Sequence, residues 1–455
     1  MLNLETLLLE QTSNDWLIGA NSLSLLQQTQ AKIDELVKFK TEYGQLPVVW
    51  IMEADAIAYL ASFLAAVITQ VPVFLGNPYW QSSEQRSARD LIQPNLIGIN
   101  NSFNQVSLQV TKQQQPIIGI ATGGSSGKIR FAIHTVASLT ASVRGFKSYF
   151  QLDRINSCCT LPLHHISGLI QVWRSLITGG KLAIIPYRQL KQQQYPEFDF
   201  SDFLISLVPT QLQCLIDQNP NWLAQFQTIL LGGAPAWQTL LERARIHRLP
   251  IATTYGMTET ASGVSFLLPE DFLQGNLSSG RVLPHAQVTI IDANGNPVEA
   301  DQIGAVKIKA KSLYHGYYPD RAEQKKFIIT DDLGYLDAQG YLQIVGRNSQ
   351  KIITGGENVY PAKIEAAILA SNLVKDVAVL GLPDAKWGQV VTAVYIPLET
   401  DRIIELQNQL RSQLAPYKQP KYWLATTQLP KDNKGKTNYT ELEKLARSLL
   451  NENKL

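Results

Sequence analysis

The residues best suited to chemistry form a short run of glycines and hydroxyl side chains. The run consists of Thr122, Gly123, Gly124, Ser125, Ser126 and Gly127. Two cations follow it, Lys128 and Arg130. Glycines let a backbone turn tightly and approach a ligand closely, and exposed N–H groups, hydroxyls and basic side chains together bind anions. The run predicts a cradle for a polyphosphate, and a flexible Gly/Ser surface loop is the alternative.

Two common phosphate motifs do not fit this run. A P-loop requires G-x-x-x-x-G-K-[ST], but Thr122 stands at the first glycine and Ile129 at the hydroxyl position. The dinucleotide fingerprint G-x-G-x-x-G is not matched either. A nucleotide site here must therefore be of another kind.

A second cluster, Tyr255-Gly-Met-Thr-Glu259, directly follows the apolar segment Ile251 to Thr254. A tyrosine ring can pack on a base, and a glycine lets the backbone approach a nucleotide. The Thr258 hydroxyl can bond an α-phosphate, and Glu259 is a hard oxygen ligand suited to Mg²⁺. The alternative is an ordinary turn at a strand end.

These segments, in this order, resemble the adenylate-forming enzymes of the acyl-CoA synthetase superfamily. The glycine run resembles the family pattern T-S-G-T-T-G-x-P-K, from which Gly123, Ile129 and Arg130 depart. Tyr255 to Glu259 matches Y-G-x-T-E. Further matches are Leu161 to Gly168, Gly232 to Pro235, Thr330 to Arg347, Asp384 to Gln389 and Pro430 to Lys436.

The resemblance implies a role for each matching residue. ATP is expected at Thr122, Gly123, Gly124, Ser125, Ser126, Gly127, Lys128, Gly233, Ala234, Pro235, Tyr255, Gly256, Thr258, Asp332 and Arg347. The catalytic residues are expected to be Lys436, His165, Thr258 and Glu259, with Mg²⁺ on Glu259. The acid is expected at His165, Ser167, Arg174 and Thr210.

The resemblance also implies a moving C-terminal part. Ser349 and Gln350 match the hinge between the domains, and Gly355 and Gly356 match a loop on the coenzyme A side. Gln350 replaces the usual aspartate or lysine. Asp331 likewise stands where glycine is usual, beside the ribose aspartate Asp332.

Arg174 stands out on physical grounds, because the segment from Leu169 to Ile177 is otherwise mostly apolar. Burying an arginine there is costly without an anionic partner. Arg174 is therefore expected to have an anionic partner, and the resemblance implies that this partner is the second carboxylate of an aromatic dicarboxylic acid. For the preceding segment, the alternative is that His164 and His165 are loop histidines without a functional role.

Composition limits the classes to which the chain can belong. With 455 residues, 45% of them hydrophobic, it should form two or more folded domains. A net charge of +2 gives no sign of a nucleic-acid surface. The three cysteines have neither disulfide nor metal spacing, which suits the cytoplasm. The oligomeric state stays open, with a homodimer as one option.

The positioning elements follow from the apolar pattern. Alternating helices and strands over residues 1 to about 115 predict a parallel sheet with helices on both faces. The uncharged stretch from Ala56 predicts a helix and then a strand, Val71 to Leu75, because Gln70 and Pro72 interrupt any membrane span. We expect a helix over residues 131–150 and short strands from Gly280 to Lys311.

The predicted fold class is α/β. Residues 1–347 should form a large AMP-binding domain of parallel α/β sheets with a small β subdomain. The resemblance implies a hinge at residues 348–351 and a small, mobile α+β domain at residues 352–455 that carries Lys436. Ligands should lie beyond the carboxyl ends of the parallel strands.

The resemblance implies an enzyme that ligates a carboxylic acid to coenzyme A with ATP as co-substrate, and an aromatic dicarboxylate as the acid. The enzyme alternative is a ligase for a benzoate- or cinnamate-type monocarboxylic acid. A non-catalytic nucleotide- or acyl-binding relative is disfavoured by the presence of both Glu259 and Lys436. An adenylation domain for a carrier protein is disfavoured because no carrier domain follows Leu455.

Overall fold

The computed structural model describes residues 3–99, 102–107, 116–123, 129–320, 325–398, 402–431 and 437–452. The chain folds as α/β, with a large N-terminal domain followed by a small C-terminal one. Within these ranges no helix combines the length and the apolar character that crossing a membrane requires.

The N-terminal region supplies most strands of one sheet, the first strand of another, and the helices that connect them. Its elements are α1 (Leu4–Ser13), β1 (Leu17–Ile18), α2 (Ser22–Tyr43), β2 (Val49–Ile51), α3 (Ala56–Ile68), β3 (Val73–Leu75), α4 (Ser82–Ile92), β4 (Leu96–Ile99), β5 (Ser102–Gln105), β6 (Ile118–Gly123), β7 (Ile129–His134) and α5 (Val136–Phe150).

The next region builds a second sheet. Its elements are β8 (Asn156–Cys159), α6 (Ile166–Thr178), β9 (Leu182–Ile184), α7 (Tyr187–Lys191), β10 (Phe203–Leu207), α8 (Pro209–Gln218), α9 (Pro220–Leu223), β11 (Thr228–Leu231), α10 (Gln238–Ile246), β12 (Ile251–Met257), β13 (Ser262–Phe266), α11 (Pro269–Leu273) and β14 (Arg281–Val282).

Strands then dominate up to residue 347. They are β15 (Ala286–Ile291), β16 (Gly304–Ala310), β17 (Tyr317–Tyr318), β18 (Ile328–Leu336) and β19 (Leu342–Arg347). The C-terminal elements are β20 (Ile352–Thr354), β21 (Glu357–Val359), α12 (Pro361–Ala370), β22 (Val374–Asp384), β23 (Gly388–Pro397), α13 (Ile403–Gln413), β24 (Tyr422–Ala425) and α14 (Tyr439–Glu452). Short 3₁₀ turns lie at Thr258–Thr260, Asn348–Gln350 and Pro416–Lys418.

Two large sheets form the N-terminal domain. The described strands of one run in the order β17-β7-β6-β3-β2-β4-β5, and those of the other in the order β1-β9-β8-β10-β11-β12-β13-β14. The central strands of each sheet are parallel. Such strands are buried on both faces and read as continuous apolar runs, which is why Val49–Ile51 and Thr228–Leu231 are entirely buried.

Helices α3, α5 and α6 belong to the main core, which also takes in side chains from both large sheets. Phe63 of α3 meets Trp173 of α6 edge to face, with ring centres 6.1 Å apart. The Trp173 indole N–H donates to the Thr140 hydroxyl of α5, so the buried polar group is satisfied. This packing fixes α6, which carries the candidate acyl-site residues.

A smaller antiparallel sheet, β15-β16-β18-β19, forms the predicted β subdomain. In the C-terminal domain, β20 to β24 form a mixed sheet. Helices α12 and α13 belong to one of its hydrophobic clusters and α14 to another. The small domain therefore has its own hydrophobic core.

The predicted α/β fold class, the helix from Ala56 and the strand that follows it are confirmed, and one predicted element differs. The predicted helix over residues 131–150 is wrong at its start, because residues up to His134 form β7, antiparallel to β6. The helix begins only after Thr135, whose side chain accepts a hydrogen bond from the Ser138 N–H. Helix α2 begins after Asn21, whose side chain caps its start, and ends at Gly44 in the left-handed conformation.

Candidate active site

The candidate residues gather at one edge of a sheet. Strands β8, β10, β11 and β12 are neighbours and run parallel. The residues that follow or end these strands are His165 and Ser167, Thr210, Gly233 to Pro235, and Tyr255 to Glu259. The carboxyl ends of adjacent parallel strands form a binding crevice in such folds, so four separate sequence segments meet at one place.

The acyl-site segment lies where β8 leads into α6. His165 occupies the N-cap position of α6, and its carbonyl accepts the N–H groups of Gly168 and Leu169. Its ring centre lies 4.4 Å from that of His164. His164 is buried, while His165 and Ser167 are partly exposed. Thr210, exposed in the first turn of α8, lies at the end of the neighbouring strand β10.

Arg174 is buried with an exposed fraction of 3%. Its guanidinium carbon lies 3.8 Å from the Phe146 ring centre and 5.9 Å from that of Phe266. The Nε–H has no hydrogen-bond partner within the described part of the chain. Burial lowers the pKa of Arg174 to about 9, which still leaves a cation at neutral pH. The structure thus shows a buried cation stacked on an aromatic ring, and does not pair it with His165.

The segment after β11 presents its backbone to the crevice. Gly233 has φ +82°, a conformation that favours glycine. Gly233, Ala234 and Pro235 are all exposed. They follow β11 at the same sheet edge at which β12 reaches Tyr255, and their contact to a base stays a prediction.

Strand β12 carries the pentapeptide past its parallel neighbour. Beyond Thr253 it pairs with antiparallel β13 instead of β11. A Cβ atom at Gly256 would lie 2.2 Å from the Ser262 carbonyl oxygen, so the neighbouring strand itself requires glycine there. Thr258 and Glu259 then sit in a 3₁₀ turn.

His134, which the sequence analysis did not single out, holds this turn by its backbone. Its ring is fully buried at the end of β7, and Nε2 lies 2.7 Å from the Thr258 carbonyl oxygen. A carbonyl only accepts hydrogen bonds, so Nε2 carries the proton and Nδ1 faces the Ser138 hydroxyl at 3.1 Å. Burial lowers the pKa of His134 to about 4, and His315 nearby also lowers it. The imidazole is therefore neutral.

Tyr317 holds the side chain of the same turn. Its hydroxyl donates to Glu259 Oε1 at 2.5 Å, and the backbone N–H of Tyr314 donates to the Glu259 carbonyl at 2.9 Å. Burial, and then the Glu259 charge, raise the pKa of Tyr317. Arg130 lies over the Tyr317 ring, 5.7 Å from its centre.

Tyr255 and Asp332 link strand β12 of a large sheet to strand β18 of the smaller antiparallel sheet. The Tyr255 hydroxyl donates to Asp332 Oδ2 at 2.7 Å, and Arg347 Nε lies 3.5 Å from Asp332 Oδ1. Burial, and then the Asp332 charge, raise the pKa of Tyr255. The pentapeptide thus contacts the hairpin β18–β19, which carries both Asp332 and Arg347.

The unusual Asp331 has a structural partner. Its carboxylate accepts hydrogen bonds from the backbone N–H of Ser349, at 3.1 Å, and from the Ser349 hydroxyl. Ser349 and Gln350 lie in the 3₁₀ turn between β19 and β20, where the hinge is predicted. Asp331 therefore ties the predicted hinge to the nucleotide hairpin, an interaction that glycine could not make.

Two predicted groups lie outside the described residues: Gly124, Ser125, Ser126, Gly127 and Lys128 of the glycine run, and Lys436. Their flanks are described. Thr122 and Gly123 pair with Arg130 and Ile129 across β6 and β7. Lys431 forms an isolated antiparallel bridge with Thr437.

The predicted coenzyme A loop lies in the C-terminal domain. Gly355 and Gly356 have φ +58° and +87°, and both are exposed. The Gly355 N–H donates to the Trp387 carbonyl at 2.9 Å. The loop is thus held against the half-exposed Trp387 of the matched Asp384 to Gln389 segment.

Comparison with known proteins agrees with this geometry. The sequence matches the family model described as "AMP-binding enzyme" over residues 48–318, and "AMP-binding enzyme C-terminal domain" over residues 363–436. It is 32% identical to the 2-succinylbenzoate–CoA ligase of Enterococcus faecalis over 379 residues, covering 81% of this chain and 77% of that one. It is 34% identical to the enzyme of the same name from Listeria monocytogenes, covering 71% and 68%.

The fold is similar to that of two solved structures of o-succinylbenzoate CoA synthetase from Bacillus subtilis. The complex with its acyl-adenylate intermediate gives a TM-score of 0.83 at 22% identity, covering 97% of this chain and 98% of that one. The complex with ATP and magnesium gives 0.81 at 22% identity, covering 97% and 99%. The first family match alone spans more than half of the chain, and on that ground the protein is a member of the AMP-binding enzyme family.

Proposed function

We propose that this chain is an ATP-dependent ligase that converts 2-succinylbenzoate to its coenzyme A thioester, releasing AMP and pyrophosphate. The observation that carries the reaction class is the meeting of four candidate segments at the carboxyl ends of adjacent parallel strands. The named relatives at 32% and 34% identity support the acid. The activity would place the chain in menaquinone or phylloquinone biosynthesis.

The first half-reaction joins two anions. An oxygen of the acid attacks the α-phosphorus of ATP, and the bond to pyrophosphate breaks. The side chains proposed to offset the charge are Thr258, Arg130 and Lys436, while Asp332 and Tyr255 orient the nucleoside. Fixed charges and hydrogen-bond donors of this kind lower the barrier by positioning and by electrostatic stabilisation.

Glu259 fits a metal that arrives with the nucleotide. Tyr317 occupies its Oε1, and within the described residues no side chain donates to Oε2. Carboxylate oxygens are hard ligands, and Mg²⁺ is usually held by one or two of them together with substrate phosphates. When bound, the ion supplies charge neutralisation at the phosphate oxygens.

In the second half-reaction the thiol of coenzyme A attacks the acyl carbonyl and AMP leaves. We propose that the domain carrying Lys436 turns about Ser349 and Gln350 and brings the Gly355–Gly356 loop to the site. The two family matches lie on either side of this turn, which supports domains at 1–347 and 352–455 with the hinge at 348–351. His165 and Ser167 are proposed to line the acyl pocket.

Arg174 is proposed to bind the carboxylate that is not activated. The buried guanidinium has lost its hydration, and its Nε finds no partner among the residues that the structure describes, so an anionic ligand would compensate that loss. This favours a dicarboxylate over a benzoate- or cinnamate-type acid, which remains the alternative. A cytoplasmic location is part of the proposal, supported by three free cysteines. Light scattering decides whether the chain is a homodimer.

The test is pyrophosphate release across a panel of carboxylic acids, with and without coenzyme A. We expect 2-succinylbenzoate to give the highest kcat/KM and to require coenzyme A for sustained turnover. A higher kcat/KM for benzoate or cinnamate would favour the alternative acid. Release of no pyrophosphate with any acid would contradict the reaction class.

A further inference from the structure

We propose that Tyr317 is a positioning residue that fixes Glu259 for the metal side of the nucleotide site and Arg130 for its phosphate side. The inference rests on the proposed function, because it concerns the same ATP site. It assigns a role to a residue that lies 58 positions from Glu259 in sequence.

The first contact is the hydrogen bond from the Tyr317 hydroxyl to Glu259 Oε1, at 2.5 Å. Hydrogen bonds to charged groups are short and strong. This bond engages Oε1, whereas no described side chain donates to Oε2, so the tyrosine orients the carboxylate and leaves Oε2 open to an ion. Partners of this kind orient metal-ligating carboxylates and tune their affinity.

The second contact is made by the ring of the same tyrosine. The Arg130 guanidinium carbon lies 5.7 Å from the ring centre, within the range of a cation–π interaction. Arg130 pairs with Thr122 at the base of the glycine run. One side chain therefore touches both the anionic and the cationic candidate at the phosphate end of the site.

The backbone explains why Tyr317 can hold both groups. Tyr317 pairs with Ala132 of β7, two residues beyond Arg130. The Tyr314 N–H binds the Glu259 carbonyl, and the Tyr314 and Tyr317 ring centres lie 5.0 Å apart. Tyr317 is thus held by its strand pairing with Ala132 and by the ring of Tyr314, and Glu259 is held through its own carbonyl. Glu259 therefore has few alternative orientations.

The test is calorimetric ATP binding, without acid, to wild type and Tyr317→Phe, each in Mg²⁺ and in EDTA. The phenylalanine keeps the ring near Arg130 and removes only the hydroxyl. Loss of a hydrogen bond to a charged group should weaken binding in Mg²⁺ by roughly 10-fold. Binding in EDTA should stay within about twofold, because Glu259 then has no ion to hold.

The chain offers a matched control in Tyr341→Phe. Tyr341 also donates to a carboxylate, Asp271 Oδ2 at 3.0 Å, and also lies under an arginine, Arg281 at 4.5 Å. It sits at the opposite end of the β18–β19 hairpin from Asp332, so its loss should change neither binding constant. Equal thermal unfolding midpoints for the two variants would show that both fold.

Combination with Glu259→Gln isolates the contact. In that background Tyr317→Phe should have no further effect on Mg²⁺-dependent binding, because the two residues act through one interaction. Equal weakening in Mg²⁺ and EDTA, or wild-type binding by Tyr317→Phe, would overturn the role of Tyr317 alone. Failure of the wild type to bind ATP would instead overturn the proposed function.

Discussion

At the residue scale, the charged groups of the candidate site have partners that limit their orientation. Asp332 is held by Tyr255 and Arg347, Glu259 by Tyr317, and Asp331 by Ser349. Arg174 differs, since its buried guanidinium contacts aromatic rings and its Nε lacks a partner among the described residues. The difference separates groups positioned by the protein from one whose proposed partner is the substrate.

Arg174→Ala should lower kcat/KM for 2-succinylbenzoate by roughly 10- to 150-fold, the value of about 1.5–3 kcal/mol for a charge-assisted hydrogen bond. An analogue without the aromatic carboxylate lacks that contact, so the substitution should lower its kcat/KM much less. Measuring wild type and variant with both substrates cancels effects on packing against Phe146. The same loss for both substrates would make Arg174 structural and remove the physical support for a dicarboxylate.

Glu259→Gln should nearly abolish pyrophosphate release at low magnesium concentration, because an amide oxygen is a weaker ligand for a hard cation. The variant should recover in part as magnesium is raised. A magnesium titration of both proteins measures this shift, with EDTA as the zero point. Activity of the wild type in excess EDTA, or an unchanged titration of the variant, is the contradicting result.

At the element scale, one strand organises the turn that carries Thr258 and Glu259. Strand β7 supplies His134, which binds the Thr258 carbonyl, and pairs with β17, which supplies Tyr317. The strand that leaves the glycine run thus also orders the pentapeptide, although the two segments are far apart in sequence.

His134→Leu should slow adenylate formation by roughly 10-fold, since an unbound buried carbonyl costs about 1–3 kcal/mol. His134→Gln, which can donate from its amide, should recover most of that loss. KM for ATP and kcat for pyrophosphate release measure the effect. If His134→Gln does not recover the rate of adenylate formation, the His134 ring only fills space.

The same residue predicts acid sensitivity. Its pKa of about 4 lies below the ordinary value of 6.5, so the folded state favours the neutral ring. The resulting stability is complete above pH 6.5 and is lost as the pH falls towards 4, by about 2–3 kcal/mol. Urea unfolding at pH 7 and pH 4.5 measures the free energy of unfolding, which should fall less between the two pH values in His134→Gln than in wild type. An equal fall in the free energy of unfolding of wild type and His134→Gln would contradict this prediction.

The sequence predicts the strands of this site well, because parallel strands buried on both faces are continuous apolar runs. The sequence also indicates Tyr255 to Glu259 and the segment with Asp332 as candidate site residues, since those residue types suit a nucleotide and a metal ion. It does not predict that His134 meets Thr258, 124 residues away, or that Asp331 binds Ser349. Those pairs depend on the register of β7 and of β18, which no local pattern specifies. The helix predicted to begin at residue 131 is wrong up to His134, because a short apolar run fits a buried strand as well as a helix.

At the scale of the whole molecule, the chain joins a large domain built on two sheets to a small domain with a separate core. The Asp331–Ser349 contact lies where the domains meet, on exposed residues. Exposed contacts of this kind contribute little stability, so the turn can hold one arrangement without preventing another. Two arrangements are what the two proposed half-reactions require.

Lys436→Ala should nearly abolish adenylate formation, yet leave thioester formation from supplied acyl-adenylate largely intact. The reason is that this lysine is proposed to leave the site before coenzyme A attacks. Single-turnover assays of each half-reaction, on the same protein preparation, give the comparison. Equal losses in both halves would contradict the proposed domain rotation.

The central claim is tested most directly by the products that the purified chain makes from 2-succinylbenzoate, Mg·ATP and coenzyme A. Mass spectrometry should find the 2-succinylbenzoyl thioester, AMP and pyrophosphate in equal amounts. ADP and phosphate in place of AMP and pyrophosphate would contradict the adenylate mechanism. A thioester formed from benzoate or cinnamate but not from 2-succinylbenzoate would contradict the substrate.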